Sequence, residues 1–203
     1  MALGLNPNAP VVLVMGGSQG ASAVNKAVLE AVPLLTVKVP DIQFLHITGI
    51  PNFEAISSGY KSISARAKVL PFLSEMELAL GAATVTVSRA GASSLAEIAA
   101  MQLPSILVPY PTAADDHQYH NARALAQAGA ARMMVQSQLR ADQLAASIAE
   151  LITDPFIAHQ MKAELRKWHY PTAADEIIRT LLSEPEEEEK TEPNSAMLRF
   201  RHG

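Results

Sequence analysis

Three short stretches of this sequence combine residue types and spacings that suit the binding of phosphate and hydroxyl groups. The first, at residues 16–21, reads Gly-Gly-Ser-Gln-Gly-Ala and directly follows the apolar run 11–15. Glycines allow a tight turn and a close approach of the backbone to a ligand, and a helix start offers unpaired N–H groups and a positive dipole end. The combination favours phosphate; the alternative interpretation is a glycine-rich turn that binds nothing.

Three sharper motifs compete for this first turn. A Walker loop is excluded because no Lys-Ser or Lys-Thr pair closes it. A dinucleotide fingerprint needs an acid at the end of the second strand, where the sequence at 47–49 is Ile-Thr-Gly, so a dehydrogenase is disfavoured. Ser18 also fits the nucleophile elbow of serine hydrolases. In that case His169 would be the candidate general base, because His117 and His120 lie too close to the candidate acids in the sequence to form a persuasive triad. Because only ten residues precede the first strand, the usual source of the oxyanion hole is missing, and the hydrolase remains the weaker alternative.

The second stretch, residues 88–97, reads Ser-Arg-Ala-Gly-Ala-Ser-Ser-Leu-Ala-Glu and again joins a strand pattern to a helix pattern. A second helix start at the same edge of a sheet would suit a diphosphate better than a monophosphate. Glu97 has two interpretations. It has the spacing of a capping box with Ser94, and it can instead accept hydrogen bonds from ligand hydroxyls such as a ribose diol.

The third stretch, residues 109–122, is a polar loop after a strand pattern, where functional residues often lie. His117, Gln118 and Asn121 fall within about one helical turn, an array suited to sugar hydroxyls. We expect His46 and the histidines outside this loop to be surface or hydrogen-bonded core residues. A metal site is a weaker alternative, because adjacent acids and histidines are common on solvated loops. It would use Asp115, Asp116, His117 and His120.

The elements that must position these stretches alternate between short β-branched runs and longer helical patterns, as in βα units on a parallel sheet. The predicted fold class is α/β, a Rossmann-like doubly wound parallel sheet of about six strands. In such a sheet, ligands bind beyond the carboxyl ends of the strands. A capping box of Ser74 and Glu77 predicts a helix start at residue 74. Predicted strands cover 11–15, 43–48, 68–72, 84–88, 105–109 and 131–136, and predicted helices cover 22–35, 74–83, 93–101, 120–128, 141–153, 155–168 and 173–183.

Composition and charge exclude several classes of protein. With 203 residues, 49% hydrophobic and 18% charged, the chain is expected to fold rather than stay disordered. It contains no Cys, which excludes disulfide scaffolds, thiolate zinc sites and cysteine nucleophiles. The net charge is −4, of which the six acids and three bases of residues 184–203 contribute −3. Residues 1–183 are therefore nearly neutral and lack the excess of basic residues that is typical of nucleic-acid-binding proteins. No apolar run approaches the ~20 residues needed to span a bilayer, and no signal peptide is recognised.

In this order and spacing, the three stretches resemble the MurG family of bacterial transferases, which move N-acetylglucosamine (GlcNAc) from UDP-GlcNAc onto lipid I. Residues 16–21 look like its third glycine loop, and residues 71–76, Pro-Phe-Leu-Ser-Glu-Met, look like its uracil-contacting segment. Residues 88–99 are similar to its donor signature, and 117–122 to its sugar-contacting loop. The resemblance implies the C-terminal, donor-binding domain of a GT-B architecture and a hexosyltransferase that acts by inverting displacement in peptidoglycan synthesis. It implies no cofactor and no donor-site metal.

The resemblance also implies a role for each matching residue. Leu73 would recognise uracil through its backbone, with Phe72 beside the base and Arg89 near Phe72. Glu97 would hold the ribose hydroxyls, and Asn121 would brace the sugar-contacting loop. The GlcNAc hydroxyls would be contacted by His117 and Gln118, and the diphosphate would lie near Gly16, Gly17, Ser18, Gln19, Gly20, Ala92, Ser93 and Ser94.

The acceptor-side half of the family has no counterpart in the sequence, so no catalytic residue is assigned. The expected organisation is an N-terminal remnant or linker at 1–9, a UDP-sugar-binding domain at 10–183 and an acidic disordered tail at 184–203. The expected partners are UDP-GlcNAc, an N-terminal acceptor domain or subunit and, through it, lipid I, with no nucleic acid. We expect a cytoplasmic chain, or one held at the cytoplasmic face of the inner membrane by that half. A non-catalytic nucleotide-sugar binding module and a related transferase with another donor remain as alternatives.

Overall fold

Six parallel strands form one sheet: β1 (Val11–Met15), β2 (Gln43–Ile47), β3 (Ala67–Leu70), β4 (Val85–Ser88), β5 (Ser105–Leu107) and β6 (Arg132–Met133). Their order across the sheet is β3-β2-β1-β4-β5-β6. The structure, a computed structural model, describes residues 3–17 and 20–182, so the predicted tail at 184–203 lies outside the described residues. The predicted Rossmann-like doubly wound sheet is confirmed.

Helices connect the strands and divide between two compact units, one ending at Tyr170 and the other beginning at Pro171. The second unit contains α8 (Ala173–Leu182). The helices of the first unit are α1 (Ser22–Lys38), α2 (Phe53–Ser62), α3 (Met76–Ala82), α4 (Ala92–Ala100), α5 (His117–Gln127), α6 (Ala141–Thr153) and α7 (Pro155–Arg166).

The topology creates a crevice between β1 and β4. The chain winds outward from these neighbouring strands in two directions, and Val12 of β1 pairs with Val85 of β4. Because parallel crossovers are right-handed, α1 and α4 lie on opposite faces of the sheet, where α1 packs on α6 and α4 packs on α7. The carboxyl ends of β1 and β4 are therefore the switch point at which ligands bind in sheets of this kind.

The predicted capping box of Ser74 and Glu77 is wrong, and the capping-box interpretation of Glu97 is not supported. Helix α3 begins two residues after Ser74, and no side chain caps its N-terminus. Helix α4 follows Gly91, which makes Ser94 its third residue, already too far into the helix to act as a cap. Glu97 therefore has no capping role. Its side chain is exposed and, in the described part of the chain, makes no hydrogen bond or ion pair.

Helix α2 is an element that the sequence pattern did not predict. Its buried face consists of Ile56 and Tyr60, four residues apart, but the poor helix formers Ser-Ser-Gly at 57–59 lie between them. The helix lies close to α1, where a Cβ atom at Gly59 would meet the end of the Leu29 side chain. Tertiary contact therefore outweighs local helix propensity here.

A buried hydrogen-bonded chain connects α2, β2 and α1. His46 on β2 is fully buried, with Nδ1 3.1 Å from the hydroxyl of Tyr60 and Nε2 3.0 Å from Oδ1 of Asn25. The Nδ2 group of Asn25 donates to the carbonyl oxygen of Thr48 at 2.9 Å, just beyond β2. The Asn25 oxygen can only accept, so Nε2 of His46 donates and Nδ1 accepts from Tyr60. Burial lowers the pKa of His46 to about 3, and the ring is neutral in the folded protein.

We expect the free energy of unfolding to decrease as pH falls from about 6.5 towards the folded pKa of His46 of about 3. The unfolded chain takes up a proton on His46 in this range and the folded chain does not, which contributes a slope of up to about 1.4 kcal/mol per pH unit. Urea unfolding at several pH values should show a smaller slope for His46→Gln than for the wild type. His159→Gln, at an exposed position, is the matched control. An unchanged slope in His46→Gln would refute this account.

Candidate functional site

A cavity of about 600 Å³ opens at the carboxyl edge of the sheet, over the ends of β1 and β4. Its wall is made of segments that directly follow strands, together with the first residues of α1, α4 and α5. Arg89 is the only charged residue in this wall among the described residues, and no carboxylate lines it. The lining residues are Gly16, Gly17, Gly20, Ala21, Ser22, Ala23, Arg89, Gly91, Ser94, Tyr110, Gln118 and Gln136.

The glycine loop brings the start of α1 to the cavity. Gly20 has a φ of +74°, and a Cβ atom there would overlap the carbonyl oxygen of Thr48. The N–H group of Gly20 donates to the carbonyl oxygen of Gly17 at 3.0 Å, which closes the turn. Since the first residues of α1 line the cavity and the first N–H groups of a helix lack intrahelical partners, this wall supplies free donors. Ser18 and Gln19 lie outside the described residues.

The start of α4 forms a second wall. Gly91 precedes the helix, and both Gly91 and Ser94 line the cavity. Two helix N-termini from opposite faces of the sheet therefore meet at one space, and their dipoles favour an anion there.

Arg89 lies on the cavity wall directly after β4 and is only 8% exposed. Nη1 donates to the carbonyl oxygens of Val108 at 3.0 Å and Pro109 at 3.1 Å, and Nη2 donates to Oε1 of Gln136 at 2.6 Å. The guanidinium carbon lies 5.3 Å from the centre of the Tyr110 ring, a cation–π contact. Burial lowers the pKa of Arg89, and the nearby Tyr110 opposes that shift. Within residues 3–17 and 20–182, no carboxylate pairs with this buried cation.

The start of α5 holds together the turns that follow β4 and β5. Oε1 of Gln118 accepts hydrogen bonds from the N–H groups of Ala90 at 3.3 Å and Tyr110 at 3.1 Å. Asn121 Nδ2 donates to the carbonyl oxygen of Ala90 at 3.1 Å. The oxygen of Gln118 therefore binds the backbone, and within the described residues its amide nitrogen makes no hydrogen bond.

His117 begins α5 after two residues with left-handed backbone, Asp115 at φ 49° and Asp116 at φ 50°. Non-glycine residues in this region are strained, and such strain clusters at functional sites. His117 Nδ1 donates to the carbonyl oxygen of Ala114 at 2.8 Å, and in the neutral ring Nε2 can then accept a hydrogen bond. The metal alternative for this loop is not supported, because no group of three potential His, Asp or Glu ligands occurs in the described segments.

Several residues that the resemblance implied for the substrate do not line the cavity. Phe72 and Leu73 follow β3, an edge strand three places from β4, and Phe72 is 62% exposed. The hydrogen bonds of Arg89 go to residues that follow β5 and β6, on the side of β4 away from β3. The remaining predicted residues outside the cavity wall are Ala92, Ser93, Glu97, His117 and Asn121.

Sequence reasoning missed Tyr110, Gln136 and the first residues of α1 as cavity residues. Tyr110 and Gln136 each lie three residues beyond the end of a strand, so the rule that ligands bind after strand ends could have found both. Gln136 was missed because the predicted sixth strand extended to residue 136, so Gln136 did not count as a residue after a strand end. In the structure β6 ends at Met133.

Residues 11–192 match the model of the glycosyltransferase family 28 C-terminal domain. The chain belongs to this family. Family membership does not support the serine hydrolase alternative for Ser18.

Named relatives of the family 28 domain include UDP-N-acetylglucosamine–N-acetylmuramyl-(pentapeptide) pyrophosphoryl-undecaprenol N-acetylglucosamine transferases. The protein of this name from Anaeromyxobacter sp. (strain K) is 41% identical over 168 residues, covering 83% of this chain and 44% of the relative. That from Listeria welshimeri is 37% identical over 183 residues, covering 89% and 50%. The crystal structure of Acinetobacter baumannii MurG has a TM-score of 0.77 and 31% identity, covering 85% of this chain and 52% of that one. The chain thus spans about half the length of these relatives.

The likeness to MurG confirms the predicted fold class, a Rossmann-like domain of the GT-B type. Across the described segments, none of the helices is both long enough and apolar enough to cross a membrane.

Proposed function

We propose that the family 28 domain binds UDP-GlcNAc in the cavity between β1 and β4 and is the donor half of an inverting hexosyltransferase. One observation carries the proposal: the buried cation of Arg89 lines a cavity that has two helix N-termini and, among the described residues, no carboxylate. A buried charge needs compensation, and an anionic diphosphate would supply it. The names of the relatives supply the nucleotide and the sugar.

Groups in the cavity wall, together with predicted residues outside it, would contact the parts of the donor. The diphosphate would accept hydrogen bonds from the starts of α1 and α4 and from Arg89. The amide nitrogen of Gln118 and Nε2 of His117 would face the sugar. Glu97, one turn into α4, would accept the ribose hydroxyls, and the segment after β3 with Phe72 would close over the base.

The chemistry assigned to this half is stabilisation of the leaving group. The acceptor hydroxyl oxygen attacks the anomeric carbon, the bond from that carbon to the phosphate oxygen breaks, and UDP leaves with the electron pair. Helix dipoles and the Arg89 guanidinium offset the charge that develops on the phosphate, so no donor-site metal is needed. The hydroxyl proton goes to a base on the acceptor half.

The acceptor half would correspond to the other half of the relatives and would hold lipid I at the cytoplasmic face of the inner membrane. To test this, the chain is mixed with, or fused to, the N-terminal half of the Anaeromyxobacter relative and assayed for transfer of labelled GlcNAc from UDP-GlcNAc to lipid I. We expect transfer from the combined halves and little from either half alone. Donor binding without any transfer would favour a non-catalytic nucleotide-sugar module instead.

Replacing Glu97 with Ala is expected to weaken UDP binding by about 1–3 kcal/mol, since its hydrogen bonds to ribose would be lost. Because this side chain is exposed and has no hydrogen-bond partner in the described chain, the thermal midpoint should stay unchanged. Glu77→Ala, an exposed acid in the first turn of α3, is the control for general charge effects. Calorimetric titration with UDP and with 2′-deoxy-UDP measures the effect. Wild-type UDP affinity in Glu97→Ala would remove Glu97 from the site.

A further inference from the structure

Among the described residues, the groups that hydrogen-bond to the Arg89 guanidinium or stack on it are all neutral. Two partners are main-chain carbonyl oxygens, those of Val108 and Pro109, and one is the side-chain amide of Gln136. The fourth is the ring of Tyr110. A guanidinium has five N–H donors and these hydrogen bonds use three, so two N–H groups, on Nε and Nη2, have no partner among the described residues.

Gln136 is the one hydrogen-bonding side chain in this set, and it stands where an acid would normally be found. Its Oε1 lies 2.6 Å from Nη2, the shortest of the three hydrogen bonds to Arg89. Buried arginines are usually paired with a carboxylate, which cancels their charge. The amide orients the guanidinium in the same way but leaves its charge intact.

We propose that Gln136 is a positioning residue that holds Arg89 through a neutral amide and thereby keeps its positive charge available to a diphosphate. The inference rests on the proposed function, because the anion is the diphosphate of the bound nucleotide. It makes Gln136 a determinant of affinity for the charged part of the ligand only. The affinity for uridine, which has no phosphate, should not depend on Gln136.

The test replaces Gln136 with Glu, which has nearly the same shape and adds one negative charge next to Nη2. The full chain and its variants are titrated with UDP and with uridine, and their thermal midpoints are measured without ligand. We expect Gln136→Glu to lower UDP affinity at least tenfold, to leave uridine affinity within about twofold, and to keep or raise the thermal midpoint. Gln136→Met, which removes the hydrogen bond without adding charge, should lower UDP affinity less than Gln136→Glu does.

The outcomes separate this inference from the proposed function. If the wild type binds UDP and Gln136→Glu binds it equally well, the charge argument is wrong and the proposed function stands. If Gln136→Glu loses UDP and uridine affinity in parallel and melts at a lower temperature, Gln136 is only a structural residue and the inference is overturned. If the folded wild type binds no UDP, the proposed function fails and this inference fails with it.

Discussion

Replacing Arg89 with Met lowers the affinity of the domain for UDP by about tenfold to a hundredfold, the range expected when about 1.5–3 kcal/mol of charge-assisted hydrogen bonding is lost. Methionine keeps the apolar stem that packs after β4 but removes the only charge on the cavity wall in the described chain. Loss of the cation leaves the diphosphate with the dipoles of α1 and α4 alone. Calorimetric titration with UDP measures the effect, and circular dichroism checks that the variant is folded.

Two comparisons separate the charge of Arg89 from its shape. Arg89→Lys keeps a positive charge but cannot reproduce the planar set of donors that reaches Val108, Pro109 and Gln136 together, so it should recover part of the affinity. Uridine, which lacks the diphosphate, should bind wild type and Arg89→Met alike. Equal losses of uridine and UDP affinity would mean that Arg89 supports the fold and makes no contribution to anion binding.

Replacing Gly20 with Ala destabilises the domain by about 3 kcal/mol or more, because two penalties add. The residue has a φ of +74°, which L-residues other than glycine rarely adopt, and the new methyl group would overlap the carbonyl oxygen of Thr48. That carbonyl is itself held by Asn25 of the buried His46 chain, so it cannot move away freely. Relief must come from the glycine loop, which shifts the start of α1 and weakens UDP binding as well. Urea unfolding and UDP titration measure the two effects.

Neighbouring glycines provide matched controls for Gly20→Ala. Gly17 also has a positive φ, +81°, but an added Cβ meets nothing within 4 Å, so Gly17→Ala should cost only about 1–2 kcal/mol for the backbone. Gly91 has φ −69° and open space, and Gly91→Ala should leave stability almost unchanged. If Gly20→Ala is no more destabilising than Gly17→Ala, the contact with Thr48 does not constrain the loop.

The fold and the edge that carries the site were predictable because both depend on local patterns. A strand such as β1, which is buried on both faces, is expected to be continuously apolar. The glycine-rich segment that follows it predicts a tight turn at the start of a helix. The polar stretch at 109–122 could be recognised because it follows a strand pattern at that edge. In the structure, Gln118 and Asn121 of α5 bind backbone groups of the neighbouring turns. The strand-to-helix order then brought these segments together.

Contacts between distant segments could not be predicted. Arg89 and Gln136 are 47 residues apart, and nothing local signals that one binds the other. Helix α2 buries Ile56 and Tyr60, and this packing outweighs intervening residues that disfavour helix. The capping box of Ser94 and Glu97 matched the spacing rule, but the helix begins earlier, at Ala92, so the rule was applied to the wrong position.

The central claim is that this chain holds the donor site of its family. Calorimetric titration of the purified 203-residue chain with UDP-GlcNAc, with UDP-GalNAc and UDP as comparisons, tests it most directly. The account predicts saturable binding at one site, with UDP-GlcNAc preferred over UDP-GalNAc. Binding of UDP with no preference among the sugars would retain the diphosphate site and contradict the assigned donor. A folded chain that binds none of the three nucleotides would contradict the account as a whole.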